Sequence, residues 1–365
     1  MTRQLIIADR VISDDSPAYV IAEIGHNHQG SLQTAKELFA AASDCGLAAV
    51  KLQKRDNRSL FTREMFDKPY DNENSFGATY GEHREALEFG RAEYTELQAD
   101  AQRLNVTFFA TAFDFASADF LAELNTPAYK ISSGDLKNTP LLRHVARVGK
   151  PMIVSTGGGT MEDVQRAYDT VMPINPRLCL MQCTSGYPAD SAELDLRVIA
   201  TFREQFPGVV IGYSGHDNGI AMPVAAYMLG ARIIEKHFTL NRSMKGTDHS
   251  FSLEPVGMKK MIRDLHRVRL ALGDGRKKVY ASEAGPLLKM GKKLVAARDL
   301  PAGHLLTAAD VAIKSPADGL PPYCLDQVVG QALLRPLRAD EALTFDVVGE
   351  AASVAGAMAF SPRAE

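Results

Sequence analysis

Between residues 19 and 272 the chain repeats one pattern eight times: a short apolar run followed by a longer amphipathic stretch. The runs are Tyr19–Glu23, Ala48–Leu52, Thr107–Thr111, Ala128–Ser132, Met152–Ser155, Leu178–Gln182, Val209–Tyr213 and Arg232–Lys236. Their length and their Val, Ile and aromatic content predict strands. The intervening stretches predict helices over Ser31–Asp44 (with Ser31 as N-cap), Tyr94–Leu104, Ala116–Leu124, Leu141–Val148, Met161–Val171, Leu196–Phe206, Ile220–Leu229 and Pro255–Leu272. Strands that are apolar without interruption are buried on both faces, as in a parallel sheet covered by helices. Eight such units over roughly 250 residues favour a closed (β/α)8 TIM barrel over an open doubly wound sheet.

Three segments stand outside the repeat. Residues 4–13, QLIIADRVIS, predict a hairpin turning at Ala8–Arg10 that plugs the bottom of the barrel. Lys54–Phe89 is long, polar and Gly-bearing, and it follows the second strand, so it is expected to fold over the mouth as a lid. After Leu272 the texture becomes charged and Gly-rich, and then LVAARDLPAGHLLTAADV is echoed by ALLRPLRADEALTFDVV. Each echo reads as strand, turn and second strand, which predicts a small all-β domain. The expected organisation is a barrel domain with its hairpin at 1–275, a linker at 276–291, the all-β domain at 292–349, and an Ala- and Ser-rich tail at 350–365 that is expected to be disordered.

Composition narrows the partners. The net charge is −3 with both signs mixed along the chain, so neither nucleic acid nor a membrane surface is an expected partner. No apolar run reaches the length a membrane requires, and Asp9 and Arg10 break the N-terminal one. Cys45, Cys179, Cys183 and Cys324 lie in or beside apolar runs, and Cys179 and Cys183 lack a zinc-knuckle spacing. They read as buried reduced thiols in a cytoplasmic protein.

The chemistry gathers at the C-terminal strand ends, the face that carries the active site in a TIM barrel. Glu23, Lys51, Gln53, Thr111, Lys130, Ser133, Ser155, Thr184, Ser214, His216, Glu235 and His237 all stand there. Charged side chains so near buried strands are costly unless paired or functional. His216 and His237 follow neighbouring strands, and a histidine pair with positions left open suits a catalytic divalent metal. Lys51, Lys130, the hydroxyls and the STGGG turn at 155–159 suit a phosphate. Glu23 is the candidate acid/base. A metal that polarises an aldehyde, beside a pocket for a phosphorylated nucleophile, describes a condensation between the two.

The motifs AEIGHNHQG (22–30), VKLQ (50–53), YKISSGD (129–135), IVSTGG (153–158), QCTSGYP (182–188), IGYSGHDNGI (211–220) and EKHFT (235–239) resemble the sialic acid synthase family, the phosphoenolpyruvate-dependent nonulosonate synthases. The resemblance runs in order over 17–272, and the following segment resembles the SAF (antifreeze-like) domain. It implies that phosphoenolpyruvate condenses with the open-chain aldehyde of N-acetylmannosamine or its 6-phosphate, releasing phosphate. It implies Mn2+ or Mg2+ on His216 and His237, and catalysis by Glu23, His216 and His237. Phosphoenolpyruvate would be held by Lys51, Thr111, Lys130, Ser133, Ser155 and Ser214. The sugar would meet Gln53, Asp135, Tyr187 and Asp248. The lid segment is similar to the enzymes that use a 6-phosphorylated sugar, for which His83 and Arg84 are candidate phosphate contacts. Family members are domain-swapped homodimers in which the SAF domain of one chain caps the barrel of the other.

Two positions depart from the family pattern. Ser315 stands where an arginine that reaches the N-acyl group is expected, which opens the site to mannose 6-phosphate. Asp135 is shorter than the glutamate of some members. A diacetamido-hexose is a further alternative acceptor. Two rival classes compete: a metal-dependent hydrolase, for which two lysines and a phosphate cradle have no task, and a non-catalytic carbohydrate- or ice-binding protein, which leaves the charged mouth unexplained.

Overall fold

The computed structural model describes residues 3–349, so the expectation for 350–365 lies outside the described residues. The chain divides into two compact units, with the boundary between Gly273 and Asp274.

The first unit opens with the predicted hairpin. Strands β1 (Gln4–Ile7) and β2 (Arg10–Ser13) pair antiparallel around Ala8, whose φ of 53° makes the turn. Eight parallel strands then close into a barrel: β3 (Tyr19–Gly25), β4 (Ala49–Lys54), β5 (Thr107–Ala112), β6 (Tyr129–Ile131), β7 (Met152–Ser155), β8 (Leu178–Cys183), β9 (Val210–Gly215) and β10 (Ile233–His237). Each pairs with the next in sequence, and β10 closes on β3 with His237 opposite Glu23. All eight strand positions agree with the sequence reading. Six strands run one or two residues further toward the mouth, and β6 stops at Ile131 because Ser133–Asp135 turn into a short 3-10 helix.

Alternation along the strands sorts the apolar residues into two layers. Val20, Val50, Phe108, Tyr129, Val154, Leu180, Ile211 and Ile234 face outward into the helices. Tyr19, Ile21, Ala49, Phe109, Ala128, Ile153, Met181, Val210 and Ile233 face inward and meet Leu5, Ile7 and Ile12 of the hairpin, which seals the barrel floor.

The helices start where their caps place them. Ser31 Oγ accepts the Thr34 N–H at the head of Leu32–Asp44, and Asp114, Asn138 and Thr160 do the same for the helices they precede. Gly149, at φ 74°, ends Thr139–Val148 in the left-handed conformation that glycine adopts without a Cβ penalty.

Residues 54–89 are not an open loop. They carry three short helices, Asn57–Leu60, Arg63–Asp67 and Tyr80–Glu85, around a cluster of Tyr70, Phe76, Tyr80 and His83 rings. Gly81 is required there, since a Cβ would stand 2.3 Å from the Phe66 ring.

In the second unit, β11 (Lys293–Ala296) pairs antiparallel with β12 (Val311–Lys314). The predicted strands of the second echo are not regular. They join through single bridges, Val295–Ala342, Leu300–Leu337, Leu305–Ala332 and Leu333–Val348. Pro336 lacks the N–H a continuous ladder needs. Leu294, Leu300, Leu306, Val328, Leu333, Leu337, Leu343 and Val347 form this unit's own core. The stretch at 276–291 carries a helix, Ala284–Met290, rather than a bare linker.

Candidate active site

The inward face of the barrel changes character one layer above Ile21, Phe109, Ile153 and Ile233. The next inward residues are Glu23, Lys51, Thr111, Lys130, Ser155, Ser214, Glu235 and His237, and all line one cavity of about 750 Å³. Gln53, Ser133, Cys183, Tyr187, His216 and Asp248 line it too.

Two lysines and two carboxylates interlock at its base, all nearly without solvent access. Glu23 Oε2 pairs with Lys51 Nζ, which also donates to Thr111 Oγ1 at 2.7 Å. Glu235 lies 3.5 Å from Lys130 Nζ and 3.9 Å from Lys51 Nζ, and it accepts the Ser214 hydroxyl at 3.1 Å. Gln53 Nε2 donates to Glu23 Oε1 at 2.7 Å. Burial pushes the Glu23 carboxyl above the usual range, with Lys51 opposing and Glu235 reinforcing. Burial also acts on Glu235, but Lys130, Lys51 and His237 outweigh it and hold that carboxyl down. Two carboxyls driven apart in this way suit different roles: Glu23 is the one shifted toward holding a proton, and Glu235 the one held ionised. The layer thus sets two lysines beside two carboxylates of unequal acidity. Ser155 Oγ is buried without a protein partner and is free to bind an anion.

The STGGG turn contributes close approach more than free amides. Gly157 N–H donates to Ser133 Oγ at 3.0 Å, and Gly159 N–H to the Thr156 carbonyl at 3.1 Å. A Cβ on Gly157 would stand 2.2 Å from Ser185 Oγ. Thr160 and Asp163 cap the following helix between themselves, so its N-terminus is already satisfied.

His216 and His237 face each other with ring centroids 5.3 Å apart, walled by Tyr187 and Phe251. His216 Nδ1 lies 2.8 Å from the Thr184 carbonyl, which fixes the proton on Nδ1 and leaves Nε2 as a lone-pair donor. His237 Nδ1 is buried without a hydrogen-bond partner, and Asp248 stands 3.5 Å from it. Burial pushes the His237 imidazole down to about 3, so it is neutral at pH 7. Two imidazoles, with His216 Nε2 and His237 Nδ1 free of protein partners beside the Asp248 carboxylate, fit a divalent cation. Among the described residues no cluster of three or more His, Cys, Asp or Glu converges as a ligand set. That count is short of the three protein ligands a hydrolytic zinc site takes.

Two expected site residues are placed elsewhere. Asp135 does not line the cavity. Its carboxylate turns back to accept from Ser132 Oγ at 2.7 Å and Asn138 Nδ2 at 3.1 Å, because β6 ends early and the 3-10 turn redirects it. His83 does not line it either. It is buried in the lid, where its Nδ1 accepts the Phe76 N–H at 3.1 Å and its ring packs on Tyr70. Burial, with Arg84 and Lys245 adding to it, takes His83 down to about 4, so it is a neutral peg that holds the lid together. Ser315 belongs to the second unit, where its Oγ accepts from Lys292 Nζ at 2.6 Å.

Arg84 does line the cavity, together with His26 and with Arg55, which the sequence reading did not single out as a site residue. Arg55 Nη1 lies 2.9 Å from His26 Nε2, and Arg84 Nη1 3.2 Å from His26 Nδ1. Burial and the two guanidinium charges keep His26 neutral. A neutral imidazole accepts at one nitrogen only, so one guanidinium N–H has no acceptor there. The spacing of Arg55 from Gln53 on the same strand end was the available signal.

A family model described as the NeuB family matches residues 38–277, and a SAF domain model matches 293–348. The N-acetylneuraminate-9-phosphate synthase of Homo sapiens is 39% identical over 340 residues, covering 93% of this chain and 95% of that protein. The N,N'-diacetyllegionaminic acid synthase of Legionella pneumophila is 34% identical over 334 residues, covering 90% and 94%. The crystal structure of N-acetylneuraminic acid (sialic acid) synthetase from Leptospira borgpetersenii superposes with a TM-score of 0.69 at 30% identity, over 79% of this chain and 96% of that one.

Proposed function

The chain belongs to the NeuB family, an enzyme family of C–C bond-forming nonulosonate synthases, and from that premise we propose how its residues divide the reaction. Phosphoenolpyruvate would lie over Lys51, Lys130, Ser155 and Ser214, with its carboxylate and phosphate against the two lysines. Its C3 forms the new bond to the aldehyde carbon of an open-chain N-acetylmannosamine-type sugar, and the aldehyde oxygen takes a proton to become a hydroxyl. Water adds at C2, and phosphate leaves with cleavage of the C2–O bond, which leaves a ketone at C2. Glu23, with its raised pKa and its place between Lys51 and Gln53, moves the proton. His216 and His237 are the residues to hold a divalent cation, which when bound supplies Lewis-acid polarisation of the aldehyde. Asp248 and Tyr187 meet the sugar hydroxyls beside them.

The observation that carries this reading is the buried pair of carboxyls, one driven up and one down, beside the facing His216 and His237 rings. Arg84 and Arg55 support a 6-phosphorylated acceptor, because two guanidinium groups line the same cavity. The rest of the proposal is coarser. The apolar side chains Leu287, Leu288 and Met290, exposed on the second unit, support a dimeric assembly. Four buried free cysteines support a reducing cytoplasmic setting. No helix among the described residues is long and apolar enough to cross a membrane.

The test follows phosphate release with Mn2+ and phosphoenolpyruvate across four aldehydes: N-acetylmannosamine, its 6-phosphate, mannose 6-phosphate and a diacetamido-hexose. The expected result is preference for a 6-phosphate. Arg84→Met should raise KM for that donor about 10–100-fold, the value of a charge-assisted contact, and leave the unphosphorylated sugar unchanged. Release unaffected by exhaustive chelation would remove the metal from the mechanism. Mannose 6-phosphate outperforming N-acetylmannosamine 6-phosphate would give Ser315 its meaning.

A further inference from the structure

Directly behind the two histidines lies a buried charge pair that the chemistry above does not use. Lys236 and Asp217 are the chain neighbours of His237 and His216, and strand alternation turns them away from the cavity. Both are almost wholly without solvent access. Lys236 Nζ sits 3.2 Å from Asp217 Oδ1 and also donates to the Asp217 backbone carbonyl. Tyr213 Oη donates to the same Oδ1 at 2.7 Å. The group is close-packed around Gly215, where a Cβ would stand 2.5 Å from the Tyr213 ring and 2.6 Å from Asp217 Oδ1.

Register explains why the pair sits there. The β9–β10 ladder runs as far as Gly215 opposite Lys236, the last residues before the two imidazoles. His216 is tied on its other side, toward β8, through Thr184 and through the Ala189 N–H that its carbonyl accepts. His237 is tied toward β3, where the Glu23 carbonyl accepts the following Phe238 N–H. Each histidine is therefore anchored to a different neighbour, and the lysine–aspartate contact spans the gap between them. A fully buried ion pair is poor support for stability compared with apolar side chains of the same size, whereas it does impose one geometry.

We propose that Lys236, Asp217 and Tyr213 form a positioning clamp that sets the separation of His216 and His237 from behind the strand ends, and so tunes the affinity of that pair for a divalent cation. The clamp rests on the reading of the two histidines as metal ligands. Its test reads binding directly, by following free Mn2+ through its electron paramagnetic resonance signal, with a thermal melt alongside. The variants are Lys236→Met, Lys236→Arg, Tyr213→Phe and His216→Ala. Wild-type protein should bind Mn2+ and His216→Ala should not. Lys236→Met should weaken binding about 10–100-fold, the usual effect of losing a partner behind a metal ligand. Lys236→Arg should restore part of it, and Tyr213→Phe, which removes one hydroxyl, should shift it less and in the same direction. Unchanged Mn2+ affinity in Lys236→Met, with only a lower melting temperature, would overturn the clamp and leave a structural pair. If Lys236→Met does not fold, wild-type affinity in Tyr213→Phe overturns it instead. Wild-type affinity in His216→Ala would strike the metal reading itself and take the clamp with it.

Discussion

The floor and the mouth of this barrel are made by the same eight strands and do opposite work. At the floor, Tyr19, Ile21, Phe109, Ile153, Met181 and Ile233 pack with Leu5, Ile7 and Ile12 of the hairpin into one buried apolar cluster. One turn of the pleat higher, Glu23, Lys51, Lys130, Glu235 and His237 fill the same cylinder with charge and titratable groups. Apolar burial at the floor contributes about 25 cal/mol per Å². The buried pairs at the mouth roughly balance desolvation against attraction and contribute little net stability. The floor therefore carries the fold, and the mouth is free to hold groups chosen for chemistry.

Substitutions in the two layers should separate these tasks. The largest expected effect is at the mouth: Glu23→Gln should cut turnover by about 10²–10⁴-fold, the value of a positioned acid/base. Its melting temperature should fall less than that of a floor variant, because Gln keeps an oxygen beside Lys51 although the partner charge has gone. Retained turnover would take Glu23 out of the mechanism. At the floor, Phe109→Ala should lower stability by about 3–5 kcal/mol, seen as an earlier denaturation midpoint, while turnover per folded molecule persists. A floor variant that kept its stability and lost activity would erase the distinction.

Acid should sharpen the same contrast. Burial takes His28, stacked on Phe89 outside the cavity, down to about 3, as it does His237 within it. Both stay neutral in the folded chain while the unfolded chain protonates near 6.5. The unfolded state thus binds more protons between those values. The stability these two residues contribute is present above pH 6.5 and is lost as the pH falls from 6.5 toward 3. Denaturant titrations between pH 7.5 and 4 check this, and His28→Gln should flatten the dependence. The smallest expected effect is Ser155→Ala. Its hydroxyl has no protein partner to strand, so KM for phosphoenolpyruvate should rise only about two- to tenfold, with stability untouched.

Much of the fold was legible before the structure, because its signals are local. Continuous apolar runs announce buried parallel strands, and capping residues such as Ser31 announce helix starts. The cavity layer was legible for a related reason: strand-end position marks Glu23, Lys51, Lys130, Ser155, Ser214 and His237 whatever they meet. The departures from the expected placement share one cause. Asp135 lies four residues past Ile131, where its strand ended early, so its carboxylate turned into its own loop. His83 reads as polar on its helix, yet Tyr70 and Phe76 close over it from elsewhere in the lid. Arg55 escaped notice because its meeting with His26 and Arg84 depends on how 54–89 folds back. The second echo of the C-terminal unit lost its regular strands to Pro336, a local signal that the repeat pattern masked.

What the sequence by itself determined is direction. On a strand the backbone alone decides which side chains face inward, so the order of residues already set an apolar floor beneath a charged mouth. What only the tertiary structure decided is partnership. Closing β10 on β3 puts His237 opposite Glu23, and the same closure brings Glu235 to Lys51 and Lys130. Those meetings set which carboxyl is driven up and which is held down. They depend on register between segments far apart in the chain, which no local pattern of residues encodes.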